Sequence, residues 1–229
     1  LNSPSNPSGA VYDREELAAL GEVVLEHNLY VLGDEIYEKL IYDGTEHVSM
    51  AQISPELKAR TIVVNGVSKT YAMTGWRIGY AAGPRDVIRL MDKAQSQTIS
   101  HPSSISQRAA VEALNGPQEV VETMRLEYDK RRRFMVGRLN GLEGVQCELP
   151  LGAFYVYPDI SAFFGKSANG RSFVDNSDIC DYLLDEARVA CVPGAGFGTK
   201  AHLRMSYATS MGNLEHAMDR IAGALEKLT

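Results

Sequence analysis

The chain has 229 residues, of which 45% are hydrophobic and 23% charged, the mix of a globular protein with one large domain or one domain plus part of another. A formal net charge of −6 argues against a broad nucleic-acid surface, which needs clustered Lys and Arg. No run of about 18 apolar residues is present to cross a membrane as a helix.

Taken in chain order, the sequence opens on Leu1 rather than Met and runs straight into a dense loop, Asn2-Ser3-Pro4-Ser5-Asn6-Pro7-Ser8-Gly9. Domains do not usually begin this way, so the expectation is a chain that lacks a preceding portion and does not work as an enzyme alone. Asp13 and Glu16 make a capping box, with Leu17, Leu20 and Val24 at helical spacing behind it. Leu29-Tyr30-Val31-Leu32-Gly33, ending at Asp34, reads as a strand buried on both faces. Thr61-Ile62-Val63-Val64-Asn65 and Ile78-Gly79-Tyr80-Ala81-Ala82 read the same way. Helical patterns follow at about 86–97 and 104–114, and the alternation predicts an α/β fold with a mostly parallel sheet.

Gly116-Pro117 breaks the chain before a long helix at about 118–140, whose apolar positions are Val120, Val121, Met124, Tyr128, Met135 and Leu139. Its basic run, Lys130 to Arg133, reads as a solvated face beside Glu127 and Asp129. Beyond it, strands are expected near 145–148, 153–157, 189–192 and 202–207, with a helix near 178–187. A last helix is expected to start on Asn213 as its N-cap and to run through Leu228. The domain boundary is placed inside the long helix, giving domains 1–125 and 126–229. The three cysteines, Cys147, Cys180 and Cys191, have no metal-ligand spacing and suggest reduced thiols in a cytosolic protein.

The strongest chemical signal is Gly66-Val67-Ser68-Lys69-Thr70-Tyr71-Ala72-Met73-Thr74-Gly75-Trp76-Arg77-Ile78-Gly79. Lys69 lies just past the carboxyl end of an apolar strand, where open α/β sheets bind ligands. A lysine there can form a Schiff base with an aldehyde, and Arg77 offers a bidentate grip on a phosphate. From the residues alone, a surface Lys and Arg on a Gly-rich loop is an equal reading. Likewise Asp34 could be a solvated acid at a strand end, Asn6-Pro7-Ser8-Gly9 simply a turn, and Arg204 a surface ion pair. Alternation in Leu203-Arg204-Met205-Ser206-Tyr207 does put Arg204 on the face opposite Leu203, Met205 and Tyr207.

These segments, in this order, resemble class I pyridoxal-phosphate-dependent aminotransferases, and the wording is most similar to their aspartate aminotransferase-like branch. The resemblance covers nearly the whole chain. It implies the later part of a fold-type I large domain followed by a small α+β domain, pyridoxal 5'-phosphate as cofactor, and amino acid and 2-oxo acid substrates. It makes Lys69 the cofactor-bearing lysine, Arg77 a phosphate ligand, Asp34 the partner of the pyridine nitrogen, and Tyr37 and Asn6 contacts of the ring oxygen. Arg204, in R-x-S-[YF], becomes the arginine for the substrate carboxylate, with Asn6 beside it. Phe154 and Tyr155 are candidates for the substrate side, with core aromatics the other reading. Many relatives carry Ser where Gly66 stands, so the hydroxyl that would bond the phosphate is missing at that position. A homodimer in the cytoplasm, with no nucleic-acid or membrane partner, is implied. The competing expectations are a C–S lyase of the same fold and the cofactor-fold domain of a transcription regulator.

Overall fold

The computed structural model describes residues 1–229. It falls into two units, Leu1–Ser5 with Ala10–Arg125 and Leu151–Ala153, and Asn6–Gly9 with Leu126–Pro150 and Phe154–Thr229.

In the first unit, Asp13 accepts from the Glu16 amide and Glu16 returns the bond to the Asp13 amide, which starts helix α1 (Arg14–Glu26). Helix α1 presses Leu17 into a core with Val31, Val48, Met50 and Leu57. Fully burying each such side chain contributes about 1.5–3 kcal/mol. Gly21 lies where a Cβ would meet Leu57 Cδ1 at 2.5 Å, so a larger residue here would have to move the Leu57 side chain. Strand β1 (Val31–Asp34) follows, then a short helix α2 (Pro55–Lys58) capped by Ser54. Strand β2 (Thr61–Gly66) pairs parallel to β1, and β3 (Gly79–Ala82) pairs antiparallel to β2. The link 67–78 has no α-helix, and without a crossover helix to carry the chain back, β3 adds an antiparallel edge.

Burial departs from one expectation: within these 229 residues strand β1 alternates, with Leu32 60% exposed, and β3 is largely exposed, because no element of this chain covers those faces. Helices α3 (Arg85–Thr98), α4 (Ser104–Asn115) and α5 (Glu119–Asn140) come next, and the division between units falls within α5 after Arg125.

In the second unit, α5 buries Tyr128, Met135 and Leu139. It also buries Arg132 completely, which overturns the reading of the basic run as a wholly solvated face. The reason is pairing: Arg132 donates to Asp129 at 2.5 and 2.9 Å and to the Pro150 carbonyl at 2.6 Å. Strand β4 (Tyr155–Val156) is followed by the hairpin of β5 (Ser167–Ala168) and β6 (Arg171–Ser172). Helix α6 (Asn176–Ala187) starts from an Asp175/Asp178 capping box, and β7 (Val192–Pro193), β8 (Leu203–Ser206) and helix α7 (Met211–Leu225) complete the unit. The sheet order is β4-β8-β7, all antiparallel. The strand expected at 145–148 is reduced to a single bridge, Gln146 with Asp159, because this segment finds no longer partner. The last helix is capped by Ser210, which accepts from the Asn213 amide, so Asn213 is the third helical residue rather than the cap. No helix is long and apolar enough to cross a membrane.

Candidate active site

Strand register gathers four of the singled-out residues at one edge of the first unit's sheet. Asp34 stands opposite Val64 in the parallel β1–β2 pair, so both strands end at the same edge. Lys69 follows three residues past the end of β2. Gly66 pairs with Gly79, so the start of β3, and Arg77 two residues before it, lie at that edge too. Lys69 is half-buried, and its Nζ sits 5.9 Å from the centroid of the buried Tyr37 ring.

The backbone around Asp34 is bonded on both sides. Its amide donates to Leu1 O at 2.8 Å, and its carbonyl accepts from Ser3 N and Asn2 Nδ2 at 3.2 and 3.1 Å. Residue 35 then continues the ladder, donating to Val64 O at 2.9 Å. The Asp34 carboxylate accepts from the Ile36 amide at 3.3 Å. Arg77 is exposed, adopts a left-handed backbone (φ 51°, ψ 52°) and donates to Thr74 O at 3.1 Å. Gly66 and Gly79 let the two backbones close: a Cβ on Gly66 would meet Gly79 Cα, Ile78 O and Ile36 Cδ1, each at 3.1 Å. A serine here would have to displace them.

Arg204 and Asn6 belong to the second unit. Arg204 projects from β8 between the buried Leu203 and Met205, as alternation predicts. Its guanidinium donates to Asn6 Oδ1 at 2.7 Å. The Tyr155 and Phe197 rings lie 4.6 and 5.1 Å from it, within cation–π range. Tyr155 is thus both a core aromatic and a wall for Arg204, whereas the Phe154 ring packs on Tyr128 and Tyr155. Phe197 was not singled out from the sequence. The signal was there, a lone aromatic in the small-residue loop Val192-Pro193-Gly194-Ala195-Gly196-Phe197-Gly198.

Burial pushes Cys147 up to about 11 and Cys180 and Cys191 up to about 12, so none is a thiolate near neutral pH.

A three-stranded sheet with a lysine, a carboxylate, a phenol and an arginine near the carboxyl ends of β1 and β2 is an α/β arrangement with an amine, an acid and a guanidinium where open sheets of this class bind ligands. Solved structures share this fold over the whole chain. An aspartate aminotransferase from Rhizobium meliloti superposes with a TM-score of 0.96 at 48% identity, covering 100% of this chain and 58% of that one. An aromatic aminotransferase from Pyrococcus horikoshii gives 0.90 at 41% identity, covering 98% and 58%. Among curated sequences, an aspartate aminotransferase of Geobacillus stearothermophilus is 50% identical over 99% of this chain and 56% of its own length. An aspartate/prephenate aminotransferase of Cereibacter sphaeroides is 51% identical over 96% and 56%. The family model for aminotransferase class I and II matches residues 1–221, and the chain belongs to that family. It spans about 56% of the length of these curated relatives. The family uses pyridoxal 5'-phosphate.

Proposed function

We propose that the protein carrying this chain is a pyridoxal-phosphate-dependent aminotransferase that moves an amino group between aspartate, or an aromatic amino acid, and a 2-oxo acid. The observation that carries the reading is the gathering of Lys69, Asp34, Tyr37 and Arg77 at one sheet edge. This donor set fits the cofactor's chemistry: an amine for its aldehyde, a carboxylate for its pyridine nitrogen, a phenol for its ring oxygen and a guanidinium for its phosphate. When bound, the cofactor supplies an electron sink for negative charge at the substrate Cα.

The chain's own groups do the rest. Asp34 holds a proton at the ring nitrogen. Tyr37 donates to the ring oxygen, and Asn6 is assigned a contact with the same atom. Arg77 grips the phosphate with its planar fork. Lys69 would hold the cofactor through its amine and would move a proton at the substrate Cα. Arg204 receives the substrate carboxylate, held ready by Asn6 and flanked by Tyr155 and Phe197.

Residues 1–125 are assigned to the later part of the large, cofactor-binding domain and 126–229 to the small domain, a reading that draws on the division after Arg125. A homodimer in the cytoplasm completes it. The first rests on the family resemblance and the second on three free cysteines. The test is product analysis of the protein expressed from its whole gene. With aspartate and 2-oxoglutarate, oxaloacetate and glutamate are expected. Release of a thiol, pyruvate and ammonia from cystathionine, without transamination of any donor, would make it a lyase instead.

A further inference from the structure

Glu35 follows Asp34 at the end of β1, and the proposed reaction leaves it unused. Its side chain belongs to the opposite side of the strand. Along Val31 to Glu35, burial alternates, with Val31, Gly33 and Glu35 on the covered side and Leu32 and Asp34 on the other. Glu35 is 8% exposed, and a buried carboxylate is tolerated only where its oxygens are engaged. Both are. Ser49 Oγ donates to Oε1 at 2.5 Å, and His47 Nε2 lies 3.1 Å from Oε2. Ser49 in turn caps a helical turn, accepting from the Ala51 amide and taking the Gln52 side chain on its own amide, so the brace is anchored in the core segment around Met50.

His47 gives a second, independent sign. Its other ring nitrogen, Nδ1, is buried without a partner. Such a group is costly, and the ring's orientation therefore satisfies Glu35 at the expense of its own second nitrogen. Glu35, Glu38 and His47 also bring one ligand atom each within 4.8 Å of one another. Ser49 and His47 each engage one Glu35 oxygen, which is the geometry of a brace.

We propose that Glu35 is a positioning residue: Ser49 and His47 hold its carboxylate, which locks the end of β1 and presents the Asp34 carboxylate in one orientation. The inference rests on the reading of Asp34 as the partner of the ring nitrogen. A strand end freed of this brace would expose a solvated carboxylate, twist the peptide that joins the two residues and let Asp34 swing.

The test uses the protein expressed from its whole gene, as apoprotein and reconstituted with pyridoxal phosphate. Three quantities are read: cofactor Kd, the pH midpoint of the bound cofactor's visible absorbance, and the apoprotein's thermal midpoint. Glu35→Ala is expected to raise Kd at least about tenfold, equivalent to about 1.4 kcal/mol, and to move the absorbance midpoint the same way as Asp34→Asn. Glu35→Gln keeps an acceptor for Ser49 and recovers most of both. A fall in thermal midpoint with Kd and absorbance midpoint unmoved would mean a structural role only and overturn the inference. If Glu35→Ala does not fold, Ser49→Ala carries the test, with a smaller shift in the same direction expected and no shift overturning it. Asp34→Asn with neither quantity changed would overturn the reading of Asp34 and this inference with it; an effect of Asp34→Asn with Glu35 and Ser49 silent overturns the inference alone.

Discussion

Arg77 in the first unit and Arg204 in the second are offered for similar work, binding an oxyanion, yet they are built differently. Arg77 is exposed and donates to a carbonyl three residues away. Arg204 is half-buried, lies against two aromatic rings and is bonded to Asn6, 198 residues distant. Ordering a free Arg side chain costs about 1.5–2 kcal/mol. Arg204 has met that cost in folding, whereas Arg77 would meet it on binding the phosphate proposed for it. Arg132 extends the series to full burial, where the guanidinium serves only the fold. The difference teaches that an arginine's surroundings, more than its presence in a motif, set what its loss will cost.

The series can be broken at its buried end first. Arg132→Ala leaves the Pro150 carbonyl without its Arg132 donor and Asp129 with Arg133 alone, and should destabilise by about 3–5 kcal/mol in urea unfolding. A loss below about 1 kcal/mol would show that burial does not rank these residues. In the middle of the series, Arg204→Lys keeps the charge but loses the fork and its stacking. Catalytic efficiency should fall by about 1.5–3 kcal/mol, roughly 10- to 150-fold, equally for every amino donor. A loss confined to acidic donors would mark Arg204 as a reader of side chains. The same exchange at Arg77 also loses the fork, and cofactor affinity should fall at least about tenfold, equivalent to about 1.4 kcal/mol; a smaller loss would make Arg77 structural only.

Asn6→Ala sharpens the point by loosening Arg204, and cofactor Kd measured alongside separates this from the contact assigned to Asn6 at the ring oxygen. One hydrogen bond of about 0.5–1.5 kcal/mol is lost, so kcat/KM should fall by roughly 2- to 12-fold. No change would mean that the aromatic walls alone hold the guanidinium.

The smallest effect expected near neutral pH is that of the thiols. Their folded values are raised from 9.0 to about 11 for Cys147 and about 12 for Cys180 and Cys191. The folded chain therefore keeps protons that the unfolded chain releases, so stability is flat below pH 9 and falls as pH rises from about 9 towards 11–12. Thermal midpoints measured from pH 7 to 11 check the sign, and rapid labelling of Cys147 or Cys180 in the native protein by a disulfide reagent at pH 8 would contradict their burial.

Much of this was legible in the sequence because the first unit's chemistry is local. Asp34, Tyr37, Lys69 and Arg77 each follow or precede a strand by a few residues, so finding the strands finds the edge. The Asp13 capping box was equally local. What escaped depends on distant pairing. Nothing near Arg132 in sequence reveals the Pro150 carbonyl that makes its burial tolerable. Phe197 reaches Arg204 only once the sheet has formed, and the Glu35 brace needs a loop returning through His47 and Ser49. The misplaced start of the last helix has a simpler cause: Ser210 and Asn213 are both good caps, and spacing does not choose between them.

The central claim is that Lys69 bears the cofactor. Borohydride reduction of the protein expressed from its whole gene and loaded with pyridoxal phosphate, followed by peptide mapping, tests it most directly. A pyridoxyl group on the peptide containing Ser68-Lys69-Thr70 is the predicted result, and the same label on Lys93 or any other lysine, with Lys69 unmodified, would contradict it.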